Sequence, residues 1–214
     1  MNIFEIQKTT SMYIPKIYKN ENHPEIIEFL KANAFGILIN QNNGNIFATH
    51  IPLEYETKND KQYLVGHVSR ANPHWKTFEK NDQVLAIFSG AHTYISPSWY
   101  DHENVPTWNY IVVHVLGKIN IIEGESVLES LKELVNKYES GKENSTKVDD
   151  YSAETMQQIN GIVAFEIEIT NIQAVKKMSQ NRDNKNYNNI ISELEKSTNI
   201  NDNLVATEMK KCQR

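Results

Sequence analysis

The stretch FGILINQNNGNIFATHIPLEYE, residues 35–56, decides the fold. Its opening FGILI is a short apolar run of strand length. The Asn43-Gly44 pair that follows is a tight-turn signal, because both residues tolerate the positive φ that a two-residue hairpin demands. From Asn45 to Glu56 strand character resumes. Two strands joined by so short a turn must run antiparallel.

Outward from this hairpin the pattern repeats. TKNDK (57–61) is a turn and QYLVGHVS (62–69) a strand, while QVLAIFSG (83–90) is apolar throughout, as in a central strand covered on both faces. NYIVVHVLGKINIIE (109–123) is the longest strand candidate. Ile111, Val113, Val115, Ile119 and Ile121 point one way, and Tyr110, His114, Lys118 and Asn120 the other. GIVAFEIEITNIQAV (161–175) alternates likewise, with Val163, Phe165, Ile167 and Ile169 inward and Glu166, Glu168 and Thr170 outward.

Helices flank these strands. NHPEIIEFLKANA (22–34) has Asn22 or His23 as cap and Pro24 in its first turn. Asn72 and Pro73 start another in RANPHWKTFEK (70–80), and ESVLESLKELVNKYES (125–140) is amphipathic. GKENSTKVDD (141–150) reads as a mobile polar loop. The tail carries one modest stripe, Tyr187, Ile190, Ile191 and Leu194. Strands joined mostly by hairpins, with peripheral helices, predict a mainly β protein built on a closed or nearly closed antiparallel barrel.

The 214 residues suit one domain with a peripheral appendage, and the net charge of −5 argues against direct DNA binding, which draws on clustered Lys and Arg. A single cysteine, Cys212, excludes an intrachain disulfide and a Cys-based zinc site, and a reducing cytoplasm is the simplest location. No secretory h-region follows Met1 and no apolar run approaches membrane-spanning length, so neither export nor membrane insertion is expected.

Chemistry concentrates in the middle of the chain. Six of seven histidines (His50, His67, His74, His92, His102, His114) and all three tryptophans (Trp75, Trp99, Trp108) lie between residues 50 and 114. GAHTYISPSWYDHENVPTWNY (90–110) is especially dense in rings and is a poor recipe for a plain strand or helix. Taken singly, such rings most often fill a core or a dimer interface. In GHVSRANPHWK (66–76), Ser69, Arg70 and Asn72 precede a helix N-terminus and combine hydroxyl, guanidinium and free N–H groups, a set suited to a phosphate ester. The same spacing fits a helix cap beside a surface arginine, and spacing alone slightly favours that cap. No His-Glu-x-x-His, Gly-x-Ser-x-Gly, Gly-x-Gly-x-x-Gly or Walker-type motif occurs, which leaves metal, serine-hydrolase and Rossmann or P-loop readings unsupported.

Taken in order, ATHIP (48–52), GHVSRANPHW (66–75), AIFSGAHTYISPSWY (86–100), VPTWNY (105–110), GIVAFEIEI (161–169) and KKMSQNR (176–182) resemble the PaiB family of FMN-binding split-barrel proteins, whose members are labelled negative transcriptional regulators. The resemblance begins at MYIP, so residues 1–11 look like an extension. It implies a six-stranded split barrel over residues 12–178, related to pyridoxamine phosphate oxidases and flavin reductases, with a C-terminal helical segment (179–214) packing on it. It also implies a homodimer with FMN at the subunit interface. Carried onto this chain, Ser69, Arg70 and Asn72 would take the phosphate end with His67 beside them, and Thr49 and His50 would contact the flavin. Trp108 and Asn109, with Ser96 and Tyr100, would approach the ring or the partner, and Gln180 and Arg182 would close over the site. Regulation would be indirect, with flavin-dependent redox activity as a companion role; a flavin reductase or oxidase-type enzyme and a haem-binding split barrel are the alternatives.

Overall fold

A computed structural model describes residues 12–79 and 82–212; the expected extension, residues 1–11, lies outside them. Along the chain come β1 (Lys19–Asn20), α1 (His23–Ala32), β2 (Phe35–Asn42), β3 (Asn45–Pro52), β4 (Glu54–Lys58) and β5 (Lys61–Ser69). A 3-10 turn (Pro73–Thr77), β6 (Asp82–Ile95) and β7 (Thr107–Ile121) follow, then α2 (Glu125–Glu139), α3 (Ala153–Gln157), β8 (Ile162–Lys177), α4 (Asn184–Glu195) and α5 (Ile200–Lys211).

These elements fall into two compact units. One comprises Asn22–Gly90 and Val113–Ile172. Its sheet has the order β3-β2-β6-β7-β8-β5-β4. The β2–β3 hairpin pairs Phe35 with Pro52 through to Asn42 with Asn45, and Asn43 and Gly44 adopt φ of 50° and 82°, the left-handed conformation the turn needs. β5 pairs antiparallel with β4 and β8.

The sheet's two ends, β3 and β4, are separated by Leu53 alone. Strands at opposite edges can be successive in the chain only if the sheet curls until the edges approach, and this produces the split barrel. Leu53 is fully buried at the corner, and its N–H donates to Ala34 O at 2.8 Å. β5 passes so close that a Cβ on Gly66 would come within 2.8 Å of Pro52 O. Leu38, Leu64, Val68, Phe88, Val115, Phe165 and Ile167 are among the buried side chains of this unit.

The other unit comprises, among the described residues, 12–21, 91–112 and 173–212. Here β1 pairs with the end of β8, Lys19 opposite Val175. Ile95, Tyr100, Met178, Tyr187, Ile190, Ile191, Leu194, Val205, Ala206 and Met209 form its core.

Several expected boundaries shift. Eight strands occur among the described residues rather than six, because Leu53 divides the 45–56 segment and the two-residue β1 is added. β6 does not stop at Gly90 but runs through the ring-rich stretch to Ile95, since Thr93 and Ile95 turn inward while His92 and Tyr94 turn outward. The polar loop 141–150 ends in a 3-10 turn whose Val148 is buried. A second tail helix, α5, joins the expected one through Val205, Ala206 and Met209. Among the described residues no helix is long and apolar enough to cross a membrane.

Candidate functional site

The turn between β5 and the 3-10 helix is built by its own side chains. Ser69 Oγ accepts from Ala71 N at 3.2 Å, and Asn72 caps the helix by accepting from His74 N at 3.0 Å. Trp75 Nε1 donates to Arg70 O at 2.9 Å, and the Arg70 guanidinium lies 5.8 Å from the Trp75 ring. Arg70 also donates from Nε to Asn160 O (2.8 Å) and from Nη2 to Ile162 O (3.0 Å). Two of its five N–H groups thus fix its place, while no carboxylate among the described residues pairs with it. An exposed guanidinium, anchored but with its charge uncompensated, beside an exposed serine hydroxyl is a donor set that fits a phosphate ester.

Thr49 joins this turn. Its Oγ1 accepts from Asn72 Nδ2 at 3.2 Å and meets His74 Nδ1 at 2.7 Å. His74 Nε2 contacts Asn40 Oδ1 at 3.0 Å, and Asn40 Nδ2 in turn donates to Thr77 Oγ1 at 3.0 Å. Because an amide oxygen only accepts, Nε2 carries the proton and Nδ1 accepts a hydrogen bond from the Thr49 hydroxyl. Burial lowers the His74 pKa, which keeps the ring neutral. His74 is the residue that sequence reasoning left out of the site; its place next to Asn72 and Pro73 was the available signal.

His50 and His67 go elsewhere. Strand alternation sends His50 to the face opposite Thr49, where it is exposed and stacks on Phe35 with centroids 6.5 Å apart. His67 lines a cavity of about 220 Å³ shared with Tyr55, Glu56, Glu133 and Leu134, and burial pushes its pKa down. In the same cavity burial and the neighbouring Glu56 carboxylate raise the Glu133 pKa.

The remaining predicted residues belong to the other unit. Trp108 is exposed, with His92 stacked at 6.5 Å and Tyr94 edge-on at 6.2 Å. Asn109 is fully buried, its Oδ1 accepting from Ser179 Oγ at 3.0 Å and its Nδ2 meeting Met209 Sδ at 3.5 Å. Ser96 caps a 3-10 turn by accepting from Ser98 N. Gln180 folds back on its own turn, accepting from Met178 N at 2.7 Å and donating to Lys176 O. Arg182 lies 4.9 Å from the centroid of the buried Tyr100 ring.

Residues 12–171 match the family model described as "Putative FMN-binding domain". The chain is also 42% identical to the protease synthase and sporulation protein PAI 2 of Bacillus subtilis (strain 168), over 89% of this chain and 92% of that one. The chain belongs to the PaiB family of FMN-binding split-barrel proteins. Two solved structures share the fold of this PaiB family member at low identity. The flavocytochrome Anf3 from Azotobacter vinelandii matches with a TM-score of 0.61 at 17% identity, covering 82% of this chain and 78% of that one. The FAD and haem binding protein from Mycobacterium smegmatis matches with 0.58 at 13%, covering 75% and 73%.

Proposed function

We propose that this PaiB family protein holds FMN by its phosphate at the turn Ser69-Arg70-Ala71-Asn72, with Thr49 and His74 fixing the turn from behind. The observation that carries this reading is the uncompensated guanidinium of Arg70, anchored by two backbone carbonyls next to the exposed Ser69. FMN, when bound, supplies one- and two-electron chemistry. The chain's part is to bind and orient it. The Ser69 hydroxyl and the Arg70 N–H groups would donate to phosphate oxygens, and the neutral His74 would keep the turn in register without adding charge.

The chain works as a homodimer, and the exposed aromatic cluster of His92, Tyr94 and Trp108 is its pairing surface. Half-exposed Trp and Tyr rings are what interfaces select. Any role in gene regulation, suggested by the PAI 2 name and the family label, is indirect, because a net charge of −5 opposes tight DNA binding. The redox role is that of a flavin-dependent oxidoreductase acting on a small molecule.

Visible spectra of the purified protein before and after FMN addition, together with sedimentation, test this reading. Flavin bands shifted on binding and a two-chain mass are expected. A monomer indifferent to FMN would overturn it, and a Soret band on haem titration would favour the haem alternative.

A further inference from the structure

Beyond the flavin turn, the unit containing Gln173 onward carries a second pair of cations. β8 ends at Lys177, and the chain turns sharply through Ser179, whose φ is 59°. Gln180 staples that turn from both ends of its amide, and Arg182 N donates to Ser179 O at 3.0 Å. The result is a tight turn between the end of β8 and the start of α4.

Among the described residues neither charge has a carboxylate partner. Lys177 Nζ donates to Thr107 Oγ1 at 2.5 Å and sits 5.7 Å from the Tyr18 ring. The Arg182 guanidinium makes no hydrogen bond among the described residues and lies 4.9 Å from the centre of the Tyr100 ring. Nearby acids are engaged elsewhere: Asp101 with Lys185 at 2.8 Å, Asp183 as the cap of α4, and Glu208 with Lys176 at 3.0 Å. The Tyr100 hydroxyl is buried and has no partner among the described residues. Burial, then the Arg182 charge, lowers the Lys177 pKa, as expected of like charges held together without a counterion.

Such an arrangement is unfavourable alone and favourable around an anion. Arg182 also lines a cavity of about 510 Å³ with Ile17, Gln180, Asn184, Tyr187 and Asn188. That volume falls in the range of about 300–1,000 Å³ typical of small-ligand sites. Its amide-bearing walls suit a polar molecule rather than a lipid.

We propose that Lys177 and Arg182, with the orphan hydroxyl of Tyr100, form an anion site for the carboxylate or phosphate of a small polar metabolite whose body enters this cavity. The site shares no residue with the turn at Arg70 and does not need flavin to form.

The test titrates flavin-free protein with inorganic phosphate and with succinate at constant ionic strength, by calorimetry. Saturable binding of at least one of them is expected in the wild type and in Arg70→Ala. At least tenfold weaker binding is expected in Lys177→Met and Arg182→Gln, both of which should melt no lower than the wild type because they relieve repulsion. No saturable binding, binding that survives both substitutions, or loss in Arg70→Ala alone would overturn the proposal. FMN titration separates the two readings. If Arg182→Gln abolishes FMN binding while Arg70→Ala spares it, the cation pair holds the flavin's own phosphate, and both assignments fall. A protein that ignores FMN yet binds phosphate through Lys177 and Arg182 keeps the anion site and loses only the flavin turn.

Discussion

Asn72 reaches across to Thr49, its amide donating to the hydroxyl at 3.2 Å, and that hydroxyl in turn donates a hydrogen bond to His74. This relay ties the β5 turn to β3 and ends in the barrel interior at Asn40. Its members are neutral, so the relay positions the turn without competing for an anion.

Removing the ring breaks the relay in two places. His74→Ala leaves Asn40 Oδ1 and the Thr49 hydroxyl short of partners and removes the one ring that stacks on Phe47 and meets Phe78 edge-on. A buried polar group left unsatisfied costs about 1–3 kcal/mol, so urea unfolding should show a loss at least of that order.

Arg70→Ala should weaken FMN binding by about 1.5–3 kcal/mol, the usual worth of a hydrogen bond to a charged group. Flavin fluorescence titration reads the change directly. Because Arg70 also holds Asn160 and Ile162, Arg70→Lys serves as a partner variant that keeps the charge while losing the fork.

Acid should destabilise the fold through three imidazoles. Burial lowers the pKa of His67, His74 and His114 below the ordinary 6.5. As pH falls, the unfolded chain takes up protons at these positions before the folded one does. Their full stability is therefore present above pH 6.5 and is lost as pH falls from there through the lowered folded values. The urea midpoint measured from pH 8 to pH 5 should drop across that window, and a flat profile would show that these rings are solvated.

Gly117→Ala tests the sheet's interior. A Cβ there would lie 2.4 Å from Ile167 Cγ2 and 2.6 Å from Glu168 O, and the backbone oxygen cannot step aside. Overpacking of this kind costs about 1–3 kcal/mol or more, visible as a lowered denaturation midpoint.

Trp108→Ala should shift the protein toward monomer in sedimentation while leaving the protomer's helical and strand signal intact. Trp108 is 53% exposed, so its removal opens no core cavity. An unchanged dimer would place the pairing surface elsewhere.

Much of this architecture was legible in the sequence because local chemistry and tertiary packing agree there. Asn43-Gly44 does make the hairpin, Asn22 and Asn72 do cap, and the alternation around Gly117 does mark a long strand. Where tertiary contacts decide, the local pattern misleads. The continuation of β6 past Gly90 depends on a core supplied by α4 and α5, far along the chain. α5 itself shows only Val205, Ala206 and Met209 inward and exposes Leu204, too thin a stripe to read. Of the candidate residues, Thr49 and Asn72 meet by direct contact, whereas Asn109 and Gln180 are engaged in holding their own surroundings. Lys177 lies within KKMSQNR, yet the resemblance singles out only Gln180 and Arg182 there; its interest lies in having no carboxylate partner among the described residues, which only the structure shows.

The corner at Leu53 also governs how the barrel can come apart. With its first and last ribbons joined by a single link, neither margin can peel away without dragging the other. Slow-exchanging amides in β3 and β4 should therefore open together, as one hinge-coupled event rather than two independent frayings.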